Sequence, residues 1–331
     1  MTRRLTLAAL GLFLACSLGG ARAEEARAAC PAPAQPPTQQ QLEAGMRHAR
    51  DHGLLWKLQR DGRTSWLYGT LHVGRMEWVF PGPALRTALR GSRRMALELD
   101  ISDPKLVQQL SLLPAGIPMP AVPAPLRRRM DAQASAACVD PAALARLHPV
   151  LEATAYTLFA ARRENLDPAW GLEAMLAGYA RGSKLPIVSL ETPDSQLRAL
   201  LPTNPEEALD MVDNILGQLE TGRASVLMAR LASAWERGDL AELSSYEDWC
   251  ECTRTDAERA SMRALLDERN PALAEGIATL HAREPVFAAV GALHMVGPQG
   301  LPQLLQARGF TVERVEFARQ AARATAAASA P

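Results

Sequence analysis

Two stretches decide how the chain reads: LYGTLHVG at residues 67–74 and VGALHMVG at residues 290–297. Each is entered from an apolar run rich in β-branched or aromatic residues, and each reaches Gly-x-x-His just before a glycine, so that His72 and His294 hold equivalent places. Beyond the first comes PALRTALR (83–90), with proline at a helix start, and then the apolar run MALELD (95–100). Beyond the second come GLPQLLQARG (300–309) and FTVERVEF (310–317). Proline near the first turn and glycine at the close are helix punctuation, and the apolar runs that follow have strand character. The pattern predicts two strand–helix–strand halves of one sheet, about 220 residues apart. In open α/β sheets ligands bind in the crevice beyond the carboxyl ends of the strands, which is where both histidines would project.

Working outward, LLWKLQR (54–60) and TSWLYGT (64–70) flank Asp61-Gly62, a dipeptide suited to the positive φ of a tight hairpin turn. From Asp103 to His281 the periodicity is mostly helical, interrupted by the proline-rich PAGIPMPAVPAP (114–125) and by the strand-like PIVSL (186–190). The predicted fold class is therefore α/β: a mixed sheet of two βαβ-like halves carrying the Gly-x-x-His motifs, with a large helical insertion between them.

The 331 residues are 48% apolar, with 36 basic against 36 acidic side chains. Such a chain buries a substantial core without needing a metal or disulfide for stability. Nothing strongly basic marks a nucleic-acid partner. At the N-terminus Arg3 and Arg4 precede an apolar run, Leu5 to Leu18, followed by Ala21-Arg22-Ala23. This is read as a signal peptide over residues 1–23, with a lipid-modified Cys16 as the alternative. The apolar run is shorter than the roughly 20 residues of a spanning helix, so no transmembrane anchor is expected after cleavage. Cleavage removes Arg3, Arg4 and Arg22, leaving 33 basic against 36 acidic residues and a formal net charge of −3. Residues 24–41 read as a Pro/Gln-rich tether, 42–317 as the folded domain, and 318–331 as a disordered Ala-rich tail. Cys30, Cys138, Cys250 and Cys252 are an even set that reads as two disulfides in an oxidising periplasmic or extracellular compartment, with three connectivities open. Half a metal site at Cys250-Glu-Cys252 is the alternative, and no second closely spaced Cys or His pair accompanies it.

Several carboxylates could share a site with the two histidines. Glu98 alternates with Met95, Leu97 and Leu99 inside MALELD, and Glu191 follows PIVSL at a strand's carboxyl end. Glu173 lies in the helical WGLEAML and Arg269 in LLDERNPALAEGI, where an exposed face is the plain reading for both. Two neutral imidazoles and a carboxylate can ligate a divalent cation with one position open to water. A second carboxylate can then act as base, and an arginine can steady an oxyanion. His48 and His52 share a helical spacing and read as a solvated face, while His148 and His281 read as helix-terminal residues. No H-E-x-x-H or G-x-S-x-G motif is present.

Together LLWKL…WLYGTLHVG, ALELD, GLEAMLAGYARGSKLPIVSLETPDSQL, ERNPALAEGI and VFAAVGALHMVGPQGLPQLLQARGFTVERV resemble the TraB/GumN family, from about Leu54 to Val315. That family sits within the Tiki-like superfamily, alongside metal-dependent peptidases, erythromycin esterases and haem-associated ChaN lipoproteins. The resemblance implies His72, His294 and Glu98 as metal ligands. It implies Glu98, Glu173, Glu191 and Arg269 as the remaining site residues, and a divalent ion (Mn, Co or Zn) as cofactor. No arginine follows Glu98 closely, where some branches of the family carry one. The expectation is an exported metal-dependent hydrolase acting on a peptide or protein. The alternative is a non-enzymatic periplasmic protein of the same fold that binds haem or a small molecule.

Overall fold

A computed structural model describes Cys30 and residues 33–317. Six strands form one mixed sheet: β1 (Leu54–Arg60), β2 (Arg63–Thr70), β3 (Arg94–Leu97), β4 (Ile187–Ser189), β5 (Val286–Gly291) and β6 (Thr311–Arg314), in the order β4-β3-β5-β2-β1-β6. β1 and β2 are the expected hairpin, paired from Leu54–Gly69 to Arg60–Arg63. Its turn places both Asp61 (φ 51°) and Gly62 (φ 70°) in the left-handed region, as a two-residue turn matched to strand twist requires. β2, β5, β3 and β4 run parallel to one another, so the ends of all four face the same way.

The two motif-bearing halves interlock rather than lying side by side. β2 and β5 are neighbours in register from Trp66–Phe287 to Thr70–Gly291. From β2 the chain crosses over β5 to β3, and from β5 it crosses over β2 and β1 to β6. Crossovers of the usual right hand that travel in opposite directions must use opposite faces of the sheet. The side chains agree. Leu55, Tyr68, Met95, Leu97, Phe287 and Ala289 pack on one face with Leu85, Ala88 and Leu89 of helix Pro83–Arg90. Leu54, Leu67, Ala96, Val286, Ala288 and Val290 pack on the other with Leu301 and Leu305 of helix Leu301–Ala307. The period-2 alternation of strand side chains thus feeds two buried faces, which is why these strands are apolar throughout.

The helical insertion has its own core, in which Met130, Val150, Tyr156, Leu197, Val212 and Leu216 meet. Two expectations are corrected. β3 ends at Leu97, so Glu98 stands just past the strand rather than inside it. The helix Gln39–His48, opened by a Thr38–Gln41 capping box, starts inside the stretch read as a tether and stops before His52, so His48 and His52 share no helical face. His148 caps helix Pro149–Ala160 and His281 closes helix Asn270–His281, as read from the sequence. Cys250 and Cys252 are bonded to each other, and among the described residues no helix is long and apolar enough to cross a membrane. The signal-peptide, Cys16 and tail readings lie outside the described residues.

Candidate functional site

The parallel strands end together, and the six residues singled out from sequence gather beyond those ends. Glu98 follows β3 and Glu191 follows β4. The two segments stay paired past the strands, with the Glu191 N–H donating to the Glu98 carbonyl at 3.0 Å. Arg269 enters from the residue before helix Asn270–His281 and ties both carboxylates down. Its Nε donates to Glu191 Oε1 at 2.8 Å, and its Nη2 donates to Glu191 Oε2 at 2.5 Å and to Glu98 Oε2 at 2.7 Å. Its Nη1 donates to the Leu265 carbonyl at 2.8 Å. All three side chains are at least nine-tenths buried. Burial works against the Arg269 charge, but the Glu191 and Glu98 partners outweigh it and raise its pKa. The other Glu98 oxygen, Oε1, accepts the backbone N–H of Gly291 at 2.6 Å. Burial alone would raise the Glu98 pKa; His294, His72, Arg269 and the Gly291 N–H together bring it down to about 2.

The two histidines are held through the same ring atom by different partners. His72 Nδ1 lies 3.3 Å from Glu173 Oε1, and Thr70 Oγ1 donates to that oxygen at 2.6 Å. Burial opposes the Glu173 charge, but His72 and Thr70 favour it and its pKa is lowered. The Glu173 charge in turn raises the His72 pKa to about 9, although the His72 side chain is 64% accessible where it lines the cavity. The His72 loop is pinned by backbone pairing, with Gly74 bridged to Asp167 and the Leu172 N–H donating to the Leu71 carbonyl at 3.0 Å. Gly74 has to be glycine here, because a Cβ would stand 2.3 Å from the Trp170 carbonyl oxygen.

His294 Nδ1 sits 2.6 Å from Asn270 Oδ1, while Asn270 Nδ2 donates to the Gln299 carbonyl at 2.8 Å. Since the amide nitrogen is spent on a carbonyl, the amide oxygen faces the ring. That makes Nδ1 the protonated nitrogen and leaves Nε2 with its lone pair. Burial pushes the His294 pKa down to about 4.

His72, Glu98, Arg269 and His294 line one cavity of about 190 Å³, the rest of whose lining is mostly apolar and includes residues of the helical insertion. Sequence reasoning reached all six charged or ring-bearing residues. It missed Thr70, Asn270 and Gln196, whose Nε2 lies 3.4 Å from Glu98 Oε2. Thr70 lies inside the quoted motif and Asn270 directly follows Arg269, but short neutral side chains carry no spacing signal of their own.

The donor types suit a divalent ion, and a ligating imidazole commonly has its other nitrogen held as these are. As placed, however, the residues do not compose a ligand set. Glu98 has one oxygen on a backbone N–H and the other on a guanidinium, which repels a dication. Among the described residues no group of three or more His, Cys, Asp or Glu stands close enough to hold a metal ion.

Comparison with curated proteins and with solved structures gave no match. A sequence model of the TraB/PrgY/gumN family matches residues 54–314, which span all six strands and every residue of the site. The chain belongs to the TraB/PrgY/gumN family.

Proposed function

We propose that the protein is an exported hydrolase of neutral acyl bonds, acting on a peptide or related amide. The observation that carries this reading is two imidazoles at one cavity in opposite settings: His72 stands beside the Glu173 carboxylate, which favours its proton, while His294 is buried against the neutral Asn270 amide, and that burial disfavours one. Two titratable groups whose surroundings push their pKa values apart are the usual signature of an acid and a base in one site.

At neutral pH His294 is the neutral partner and its Nε2 accepts the proton of an attacking water, while Asn270 holds the ring and takes the Nδ1–H. The water oxygen bonds to the scissile carbonyl carbon and charge moves to the carbonyl oxygen. Protonated His72 faces that charge and then gives its proton to the departing amine as the C–N bond breaks. Arg269 has most of its donors committed to Glu98, Glu191 and Leu265, so its part is to fix those carboxylates. The charged Glu98 supports both imidazolium states electrostatically. Export is supported by the signal-like N-terminus and the Cys250–Cys252 disulfide. The cavity, at about 190 Å³, falls below the roughly 300–1,000 Å³ of pockets that take drug-sized ligands, which weighs against haem as its occupant.

The test is cleavage of a synthetic peptide library by purified protein, read by mass spectrometry between pH 5 and 9, with and without chelator and with added Mn, Co or Zn. Cleavage that persists in chelator and disappears in both His72→Ala and His294→Ala supports the reading. Cleavage abolished by chelator and restored by one of these ions would transfer the chemistry to a bound metal, and no cleavage under any condition would end the hydrolase reading.

A further inference from the structure

Beside its charged residues the cavity has an apolar lining. Leu158 comes from helix Pro149–Ala160, and Met228 and Leu231 come from one face of helix Arg223–Glu236. Leu265 and Leu266 come from the end of helix Asp256–Leu265, and Leu293 from the second Gly-x-x-His turn. Residues three apart on a helix lie on one face, so Met228 and Leu231 present a continuous apolar surface. The cations among the lining residues are His72 and Arg269, and both are already ion-paired to carboxylates. An anionic group entering the cavity finds no unpaired positive charge and meets Glu98 instead. Nor does a polar side chain find a partner on the leucine and methionine wall, where it would lose its hydration without return.

The geometry points to a specificity subsite: Leu158, Met228, Leu231, Leu265, Leu266 and Leu293 receive an uncharged apolar side chain, branched aliphatic or phenyl, next to the scissile carbonyl of the substrate. This rests on the hydrolase reading and narrows its substrate class. The size agrees. An apolar cavity of about 150 Å³ is enough for a benzene ring, and about 190 Å³ leaves room beside such a group for the reacting carbonyl and its water. The helical insertion, by this account, chooses the substrate, while the carboxyl ends of β2 and β5 supply the acid and base.

Two measurements on the full chain test this. In the first, peptides differing only beside the scissile bond are compared. Leu, Ile or Phe there should raise kcat/KM at least about tenfold over Gly or Asp, since each methylene in a matched pocket counts for roughly that much. Met228→Glu should erase the preference, and Leu231→Trp, which fills the space with apolar bulk, should shift it toward smaller side chains. Equal cleavage across the panel overturns the subsite while leaving the hydrolase standing. In the second, wild-type protein is titrated calorimetrically with N-acetylphenylalanine amide and with N-acetylglycine amide. Tighter binding of the phenyl compound by at least about tenfold supports the subsite even if no peptide is cut. Equal or undetectable binding of both overturns it.

Discussion

The backbone N–H of Gly291 reaches Glu98 Oε1 at 2.6 Å, and a Cβ built at residue 291 would stand 3.3 Å from that same oxygen and 3.5 Å from His294 Cδ2. Gly291 has φ −48° and ψ 139°, which any residue adopts, so glycine is needed for approach and not for conformation. Gly291→Ala should therefore cost little in folding, within about 1 kcal/mol by urea denaturation. It should still lower kcat/KM severalfold, because the Glu98 carboxylate must shift by a few tenths of an ångström away from the residue 291 N–H, whereas the His294 ring stays at ordinary contact distance. A variant equal to wild type in turnover would show that this contact is packing alone.

Arg269 holds Glu98 and Glu191, both nearly buried, and removing it strands two carboxylates. Arg269→Met should destabilise the fold by about 3–5 kcal/mol, the usual cost of leaving buried charge uncompensated. Adding Glu191→Gln should recover part of that loss, because one of the two stranded charges is then gone. Arg269→Lys should fall between, since a point charge cannot reproduce the forked contact with Glu191. Denaturation midpoints of the three variants decide the order, and a double variant no more stable than Arg269→Met would remove the ion-pair account.

These residues show how far the sequence could be read. The halves, the hairpin turn and the pairing of His72 with His294 in one region were legible because repeat spacing, Asp-Gly and strand-end position are local signals. The interlocking of β5 between β2 and β3 was not, since strand order depends on contacts between segments far apart in the chain. MALELD keeps its alternation to Asp100, which reads Glu98 as a strand residue; the strand stops at Leu97, and the Glu98 carboxylate just beyond it meets Arg269 and the Gly291 N–H, partners that come from segments far away in the chain. The expectation that Arg269 would face an oxyanion came from its chemistry alone. Its position gives those donors to Glu98 and Glu191.

The pH dependence follows from three shifts, each with its own sign. Glu98 is lowered from 4.5 to about 2, so its contribution to stability is fully present above the ordinary carboxylate value and is lost as pH falls toward 2; it is on the order of 3 kcal/mol. His294, lowered from 6.5 to about 4, likewise costs stability as pH falls from 6.5 toward 4, because the unfolded ring takes the proton first. His72 is raised from 6.5 to about 9, and its contribution is present below 6.5 and lost as pH rises through 9. Activity should accordingly rise near pH 4, as His294 becomes neutral, and fall near pH 9, as His72 loses its proton. Glu173→Gln removes the main cause of the His72 shift and should bring the alkaline limb down toward about 6.5. Added salt should move it the same way, because the His72 side chain is open to solvent. A kcat/KM profile whose alkaline limb ignores Glu173→Gln would take His72 out of the acid role.

Asn270 fixes which nitrogen of His294 carries the proton, and its own orientation is fixed by the Gln299 carbonyl. Two substitutions separate orientation from charge. Asn270→Ala deletes the acceptor for Nδ1–H, so either tautomer and more than one ring angle become accessible, and kcat should fall while the acid limb stays near pH 4. Asn270→Asp keeps an acceptor at Nδ1 but makes it anionic. It stabilises the imidazolium, so the acid limb should move upward by one to two units by analogy with other carboxylate–cation neighbours. At a pH above the moved limb, Asn270→Asp should turn over faster than Asn270→Ala, since only the aspartate still holds the ring. If both variants keep the wild-type limb and rate, proton transfer does not pass through His294, and the base must be sought elsewhere in the cavity.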